Sequence, residues 1–150
     1  MFPENPRADD GFTLLEITVV LFLAGIMMAL AVPALNAGSA GLEMKAAARQ
    51  VGAGLRKARA VAVGERREAV LTLDLAAHTF EVSGDPKVYT LPAGVELKLF
   101  TATSEALDDT HGSIRFYADG SSTGGRITLG RGESQQEVDV DWLTGRVKVL

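Results

Sequence analysis

The chain has no cysteine and only two histidines among its 150 residues. Without cysteine no disulfide can form, so a globular part must be held by packing and by hydrogen bonds between strands. An excess of basic residues is also lacking, because 15 Lys and Arg stand against 19 Asp and Glu, giving a net charge of −4. A sequence-independent nucleic-acid binder normally carries a basic surface, and the composition argues against that class.

Charge is absent from residues 17–35, and the first ionisable residue after Glu16 is Glu43. As a helix rising about 1.5 Å per residue, this run reaches roughly 29 Å, close to the hydrocarbon thickness of a bilayer. Gly25 and Pro33 interrupt the run, but both residue types are tolerated in membrane helices. The run therefore predicts a membrane-spanning helix that begins beside a carboxylate.

Two simpler interpretations of this segment remain open. Ala29-Leu30-Ala31 has the small-x-small pattern that precedes the cleavage point of a secretory signal. However, residues 1–10 contain one Arg and three acids, whereas the start of a signal peptide is positively charged. A plain single-span anchor explains the length, but it accounts neither for Glu16 nor for the glycine before Phe12.

Residues 11–21, Gly-Phe-Thr-Leu-Leu-Glu-Ile-Thr-Val-Val-Leu, resemble the class III signal of type IV prepilins and type II secretion pseudopilins. In that family a membrane prepilin peptidase cuts after the glycine and methylates the new N-terminal residue. The resemblance implies a cut between Gly11 and Phe12 and N-methylation of Phe12. It also makes Glu16 the fifth residue of the mature chain, an assembly residue that pairs with a neighbouring subunit's α-amine. The acidic pair Asp9-Asp10 departs from the family, whose leaders are usually basic at this point.

Helical periodicity continues beyond the apolar run. Apolar and small residues recur at spacings of four and three, which places them on one helix face: Met44, Ala48, Val51, Leu55, Ala58 and Ala62. We predict one long helix, loosened near residues 36–41, with this face packed against a sheet.

From about residue 67 the apolar period changes to two, which is typical of strands. Turn residues separate several runs, and the short connections favour antiparallel hairpins over βαβ units. The predicted fold class is α+β, with a long helix packed on an antiparallel sheet or small sandwich. The predicted strands are Ala69–Leu75, Thr79–Val82, Lys87–Leu91, Val95–Thr101, Ser113–Tyr117, Ile127–Leu129, Glu137–Trp142 and Arg146–Leu150.

Four further segments are similar to the minor pseudopilin H family of type II secretion systems, within the type IV pilin superfamily: residues 55–62, 69–74, 114–127 and 140–147. The resemblance implies a pilin-like fold and a low-copy subunit near the tip of a periplasmic pseudopilus, which drives export of folded proteins across the outer membrane. Expected partners are the minor pseudopilins I, J and K, the major pseudopilin G and the prepilin peptidase.

The same resemblance divides the chain into four parts. Residues 1–11 are expected to be the leader, 12–35 the transmembrane and assembly helix, 36–66 its amphipathic continuation, and 67–150 a periplasmic β-rich domain. The expected location is the bacterial inner membrane, crossed once. Neither an enzyme activity, a cofactor, a metal, a nucleic acid nor a small-molecule substrate is expected.

Several chemical motifs in the sequence have simpler structural explanations. The loop 119–125 lacks the lysine of a phosphate loop and has too few carboxylates for Ca²⁺, so a tight turn between strands is favoured. His78 and His111 lie near predicted loops without a nucleophile motif. Glu137, Asp139 and Asp141 alternate along a predicted strand, as on a solvated sheet face. Trp142 is expected in the core, with a partner contact as the alternative.

The sequence leaves two other classes of function open. A minor pilin of a type IV pilus, serving assembly or DNA uptake, shares the N-terminal motif. DNA binding would require a basic outer domain, yet residues 65–150 contain nine Lys and Arg against fourteen Asp and Glu. An enzyme anchored by the N-terminal helix is the third class.

Overall fold

The computed structural model describes residues 12–106, 108 and 110–150, and for residues 30–40 it describes the backbone alone. The predicted leader 1–11, including Gly11, lies outside the described residues. The chain divides into two compact units, Met1–Gly38 and Ser39–Leu150.

Helix α1 extends from Leu14 to Glu65, so the prediction of one long helix is confirmed. Its first turn is capped by Thr13, whose hydroxyl accepts a hydrogen bond from the backbone N–H of Glu16 at 3.2 Å. The helix is continuous through residues 36–41, and the expected loosening there does not interrupt it. It ends before Arg66, which has a positive φ of 53°.

The described part of the second unit contains eight strands and a short 3₁₀ helix, Thr103–Glu105. All pairings within the sheets are antiparallel, as predicted. The strand bounds are β1 Ala69–Asp74, β2 Thr79–Val82, β3 Tyr89–Thr90, β4 Glu96–Thr101, β5 His111–Phe116, β6 Gly125–Arg131, β7 Ser134–Val140 and β8 Val147–Val149. These strands form two four-stranded sheets with the orders β3-β2-β1-β5 and β4-β6-β7-β8.

One hydrophobic core joins α1 to both sheets. Every member of the predicted apolar stripe from Met44 to Ala62 is buried, which confirms its role as the packing face. Small residues on this side let the helix come close to the sheets. A Cβ placed on Gly54 would lie 2.6 Å from Cε2 of Phe80 and 3.1 Å from Cδ1 of Leu71. Gly54 therefore sets the distance between the helix and the first sheet.

We expect Gly54→Ala to lower the free energy of unfolding by up to about 2 kcal/mol. Overpacking against Phe80 costs about 1–3 kcal/mol, while alanine regains about 1 kcal/mol of helix propensity. Denaturant unfolding of the two proteins side by side measures the difference.

Gly64→Ala is the matched control, because a Cβ there meets nothing within 4 Å on the same helix. It should stabilise by up to about 1 kcal/mol. Equal effects of the two substitutions would contradict the close packing at Gly54.

Candidate assembly surfaces

Phe12, two residues before α1, and Glu16, in the first turn of α1, are both exposed to solvent. Phe12 is 79% exposed. The Glu16 side chain is also exposed, and it accepts no hydrogen bond from the residues described. Thr13 and Glu16 have the spacing of a capping box, in which a Thr precedes the helix and a Glu lies three residues later. This pattern in the sequence marks the start of α1, and the sequence analysis above did not use it. The cleavage, methylation and assembly roles of Gly11, Phe12 and Glu16 stay predictions, and Gly11 lies outside the described residues.

The described side chains of the first unit expose apolar surface on every side of the helix. Large apolar side chains from Leu14 to Met28 are between 44% and 86% exposed. A helix that is apolar all round belongs in a protein core or a membrane. Among the residues described, no helix combines the length and apolar character needed for a membrane crossing. The predicted span over 12–35 stays a prediction.

The second unit exposes two aromatic side chains along one groove. Trp142 is 66% exposed, so its expected place in the core is wrong and the alternative of a partner contact stands. Phe100, 78% exposed, lines the same groove of about 490 Å³, together with residues of the 101–103 and 123–125 segments. We call this feature the aromatic groove.

Backbone geometry explains why both aromatic side chains point outward. On β4, Leu97 faces the core and Leu99 is partly buried against it, so Phe100 falls on the opposite face. Trp142 comes just after β7, and its carbonyl accepts the N–H of Ser122 at 2.9 Å. Gly124 has a φ of +72°, and a Cβ there would lie 2.9 Å from Cβ of Trp142. The alternation along β4 was visible in the sequence, whereas the approach of the 122–124 segment to Trp142 was not.

The loop 119–125 is a turn held by α1. Asp119 accepts hydrogen bonds from the backbone N–H and the hydroxyl of Ser121, at 2.9 and 2.6 Å, and the hydroxyl bond lowers the pKa of Asp119. Arg59 donates to the carbonyls of Gly120 and Thr144, at 3.2 and 3.0 Å. Asp119 closes its own turn, and Arg59 holds that turn beside the turn at Thr144. The loop is therefore a structural connection between strands, as predicted.

His111 lies between two carboxylates. Its Nε2 is 3.1 Å from Asp74, and its Nδ1 is 3.0 Å from Asp108. Both nitrogens can donate only in the imidazolium form, and hydrogen bonding to Asp108 raises the pKa of His111 above its ordinary value. The nearby hydroxyl of Thr110 donates to Asp108 at 2.8 Å. The arrangement is an ionic clamp that fastens Asp108 and His111 to Asp74 at the end of β1.

The alternating carboxylates near the C-terminus do not form one acidic cluster. Arg126 bridges Glu137 and Asp139, at 3.1 and 3.2 Å, from the neighbouring strand. Asp141 lies beyond β7 and accepts hydrogen bonds from the N–H and hydroxyl of Thr144, both at 2.8 Å. Within the described residues no group of three or more His, Asp or Glu side chains is arranged to hold a metal ion.

A buried carboxylate anchors the segment between β4 and β5, to which the sequence alone assigns no role. Glu105 is 4% exposed. It accepts hydrogen bonds from the Ser113 hydroxyl at 2.5 Å and from Nε of Arg115 at 2.9 Å. Arg115 also pairs with Glu68 at 2.9 Å. These contacts satisfy the buried charge and hold the 3₁₀ helix against β5.

A long N-terminal helix packed on two antiparallel sheets is the pilin-like architecture, and solved structures agree. The type IV minor pilin FimU of Pseudomonas aeruginosa matches with a TM-score of 0.57 and 17% identity, over 75% of this chain and 91% of that chain. The minor pseudopilin EpsH from the type 2 secretion system of Vibrio cholerae also has a TM-score of 0.57, with 14% identity, over 72% of this chain and 96% of that chain. The predicted pilin-like fold is confirmed.

Sequence comparison identifies the family. The family "Type II transport protein GspH" matches residues 47–145, and the prokaryotic N-terminal methylation motif matches residues 6–32. The type II secretion system protein H of Xanthomonas campestris pv. campestris is 33% identical over 146 residues, covering 97% of this chain and 86% of the relative. The chain therefore belongs to the GspH family of type II transport proteins. This is a family of structural pseudopilin subunits, as the sequence predicted.

We expect the His111 clamp to make folding stability depend on pH. The pKa of His111 is higher in the folded than in the unfolded protein. The clamp therefore contributes its full stabilisation below the unfolded pKa of about 6.5, and this stabilisation is lost as the pH rises through the folded pKa. His111→Gln should reduce the loss of stability between about pH 6 and pH 9, measured by denaturant unfolding at each pH.

An unchanged pH profile for His111→Gln would contradict the clamp.

Proposed function

We propose that the protein is a minor pseudopilin near the tip of the periplasmic pseudopilus of a type II secretion system, where it helps drive export of folded proteins across the outer membrane. The proposal rests on one observation, that two family models match the same chain. An N-terminal methylation motif covers residues 6–32, and a GspH-type globular part covers residues 47–145.

In this proposal the chain crosses the inner membrane once and its globular part lies in the periplasm. Residues 1–11 are the leader, 12–35 form the membrane and assembly helix, 36–66 continue that helix, and 67–150 form the outer domain. Prepilin peptidase cuts between Gly11 and Phe12 and methylates Phe12. The apolar surface exposed from Leu14 to Met28 supports an anchoring role, because lipid or neighbouring helices would cover it.

Glu16 is proposed to pair with the α-amine of the neighbouring subunit. Its exposed position in the first helical turn leaves the carboxylate accessible to another chain. An ion pair in a medium of low dielectric constant attracts far more strongly than one in water, so the pair would fix the axial register of subunits.

The proposed partners are the minor pseudopilins I, J and K and the major pseudopilin G, with the aromatic groove as one contact surface. Exposed Trp and Phe side chains are typical anchors of protein interfaces. Catalysis is not part of this proposal, since Asp119, His111 and the carboxylates of β7 are all engaged in structural contacts. The proposal also includes no cofactor, no nucleic acid and no small-molecule substrate.

A minor pilin of a type IV pilus is the alternative function. The equal TM-scores to FimU and EpsH mean that the fold does not separate the two systems. The 33% identity to a type II secretion protein over 97% of the chain favours secretion.

We expect Glu16→Gln to leave processing intact and to lower incorporation into pseudopili by about tenfold or more, since removing one partner of a desolvated charge pair costs about 2–5 kcal/mol. Intact mass measures processing. With the peptidase present, both proteins should lose residues 1–11 and gain one methyl group. Recovery in the pseudopilus fraction measures incorporation.

Glu65→Gln removes another exposed carboxylate, at the opposite end of α1, and should be incorporated normally. An uncut chain, or a cut after Ala31, would contradict the processing step. Normal incorporation of Glu16→Gln would contradict the assembly role.

We expect Trp142→Ala to weaken co-purification with the other pseudopilins by about tenfold, because truncating an aromatic anchor costs about 2 kcal/mol or more of binding free energy. Its exposure predicts a change of less than about 0.5 kcal/mol in folding stability. Val88→Ala, which truncates a half-exposed apolar side chain elsewhere on the domain, is the control. Undiminished co-purification would exclude the aromatic groove as an interface.

A further inference from the structure

A second groove runs beside α1 along the edge of the second sheet. It consists of two hollows of about 470 and 390 Å³ that share Arg56. Lys45, Arg49 and Arg56 line it from the helix, Val147 and Val149 line it from β8, and Arg146 lines it from the residue before β8. We call this feature the cationic groove. It is separate from the aromatic groove, with which it shares no lining residue.

The cations of this groove have no acidic partner among the described residues. Six Lys and Arg residues elsewhere on the domain do make ion pairs: Lys57, Arg67, Lys98, Arg115, Arg126 and Arg131. In a chain with a net charge of −4, the groove therefore concentrates positive charge without an internal counter-charge. Such a surface attracts an acidic partner.

The strand beside the groove has an unpaired edge. β8 is the outer strand of its sheet and pairs with β7 alone. The carbonyl of Arg146 accepts the N–H of Asp141 at 3.0 Å, and the N–H of Leu150 donates to the carbonyl of Glu137 at 2.8 Å. The backbone groups of Arg146 and Leu150 therefore face the β7 side. Because these groups alternate along an antiparallel strand, those of Val147 and Val149 face away from β7, into the groove. A free edge of this kind can accept another strand.

Gly52 places the helix cations next to this edge. A Cβ on Gly52 would lie 2.9 Å from Cγ2 of Val149 and 3.6 Å from a guanidinium nitrogen of Arg56. Lys45, Arg49, Gly52 and Arg56 are spaced four, three and four residues apart, so they lie on one line along α1. The line of cations thus runs beside β8.

We propose that the cationic groove binds an extended, acidic segment of a partner protein. The segment adds to β8 as a further strand through the backbone groups of Val147 and Val149. Its carboxylates pair with Arg49 and Arg56 on one face. The proposal concerns the second unit alone and does not depend on which filament the chain joins.

A nucleic acid is the other polymer that a basic groove attracts, and the free strand edge favours a protein. The unpaired N–H and C=O groups of β8 match those of another strand, whereas a phosphate backbone offers no donors.

The test is fluorescence anisotropy with the purified full-length protein in neutral detergent micelles. The probe is a short labelled peptide in which glutamate alternates with threonine. We expect it to bind at low salt, and Arg49→Gln combined with Arg56→Gln should weaken binding about tenfold or more, since the loss of one charge-assisted hydrogen bond alone lowers an affinity about tenfold. Lys87→Gln combined with Lys98→Gln removes the same charge away from the groove and should change the affinity less than about twofold.

Three comparison ligands complete the test. The same peptide with lysine in place of glutamate should not bind, and the glutamate peptide with N-methylated backbone amides should bind at least about tenfold more weakly. Equal binding of either peptide would overturn the proposal. So would equal losses in the two double variants, or a single-stranded oligonucleotide that binds more tightly than the peptide. Circular dichroism of each variant establishes that it is folded.

Discussion

The close packing of α1 against the two sheets is the constraint on which the globular unit depends. The buried face of the helix is built from alanine with a few larger side chains, and Gly52 and Gly54 bring the helix within contact distance of Val149 and Phe80. Without cysteine, no covalent link can replace this packing. The same close approach fixes where the polar side chains of α1 fall. Lys57 reaches Asp85, and Arg59 reaches the carbonyls of Gly120 and Thr144.

The two halves of α1 satisfy their apolar surface in different ways. From Met44 onward, one face is buried by strands of the same chain. Between Leu14 and Met28, large apolar side chains are exposed. The chain therefore has one part that buries its apolar surface internally and another that leaves its apolar surface open to contact. This division suits a subunit that must fold before it is built into a larger structure.

Regular patterns predicted most of the fold. Period-two alternation located every strand, and the spacing of Met44, Ala48 and Val51 identified the packing face of the helix, because both periodicities are local properties of the chain. Trp142 was predicted wrongly since its burial depends on the turn after β7, where a hydrogen bond between Asp141 and Thr144 closes the turn and the side chain points outward. The anchoring of residues 103–105 was also beyond sequence reasoning, because Glu105 finds Ser113 and Arg115 only after two strands have come together.

Charge in this protein separates into groups that hold the fold and groups that remain available. Asp85 illustrates the first kind, since its hydrogen bond from Lys57, with a second from Tyr89, lowers its pKa to about 2 and ties α1 to the segment between β2 and β3. His111, Arg115 and Arg126 belong to the same kind, because each is held by two carboxylates. Lys45, Arg49 and Arg56 differ in having no such partner in the described chain. Cations that share one side of a helix without acidic partners repel one another and do not favour folding. Their alignment beside a free strand edge is therefore better explained by recognition than by folding.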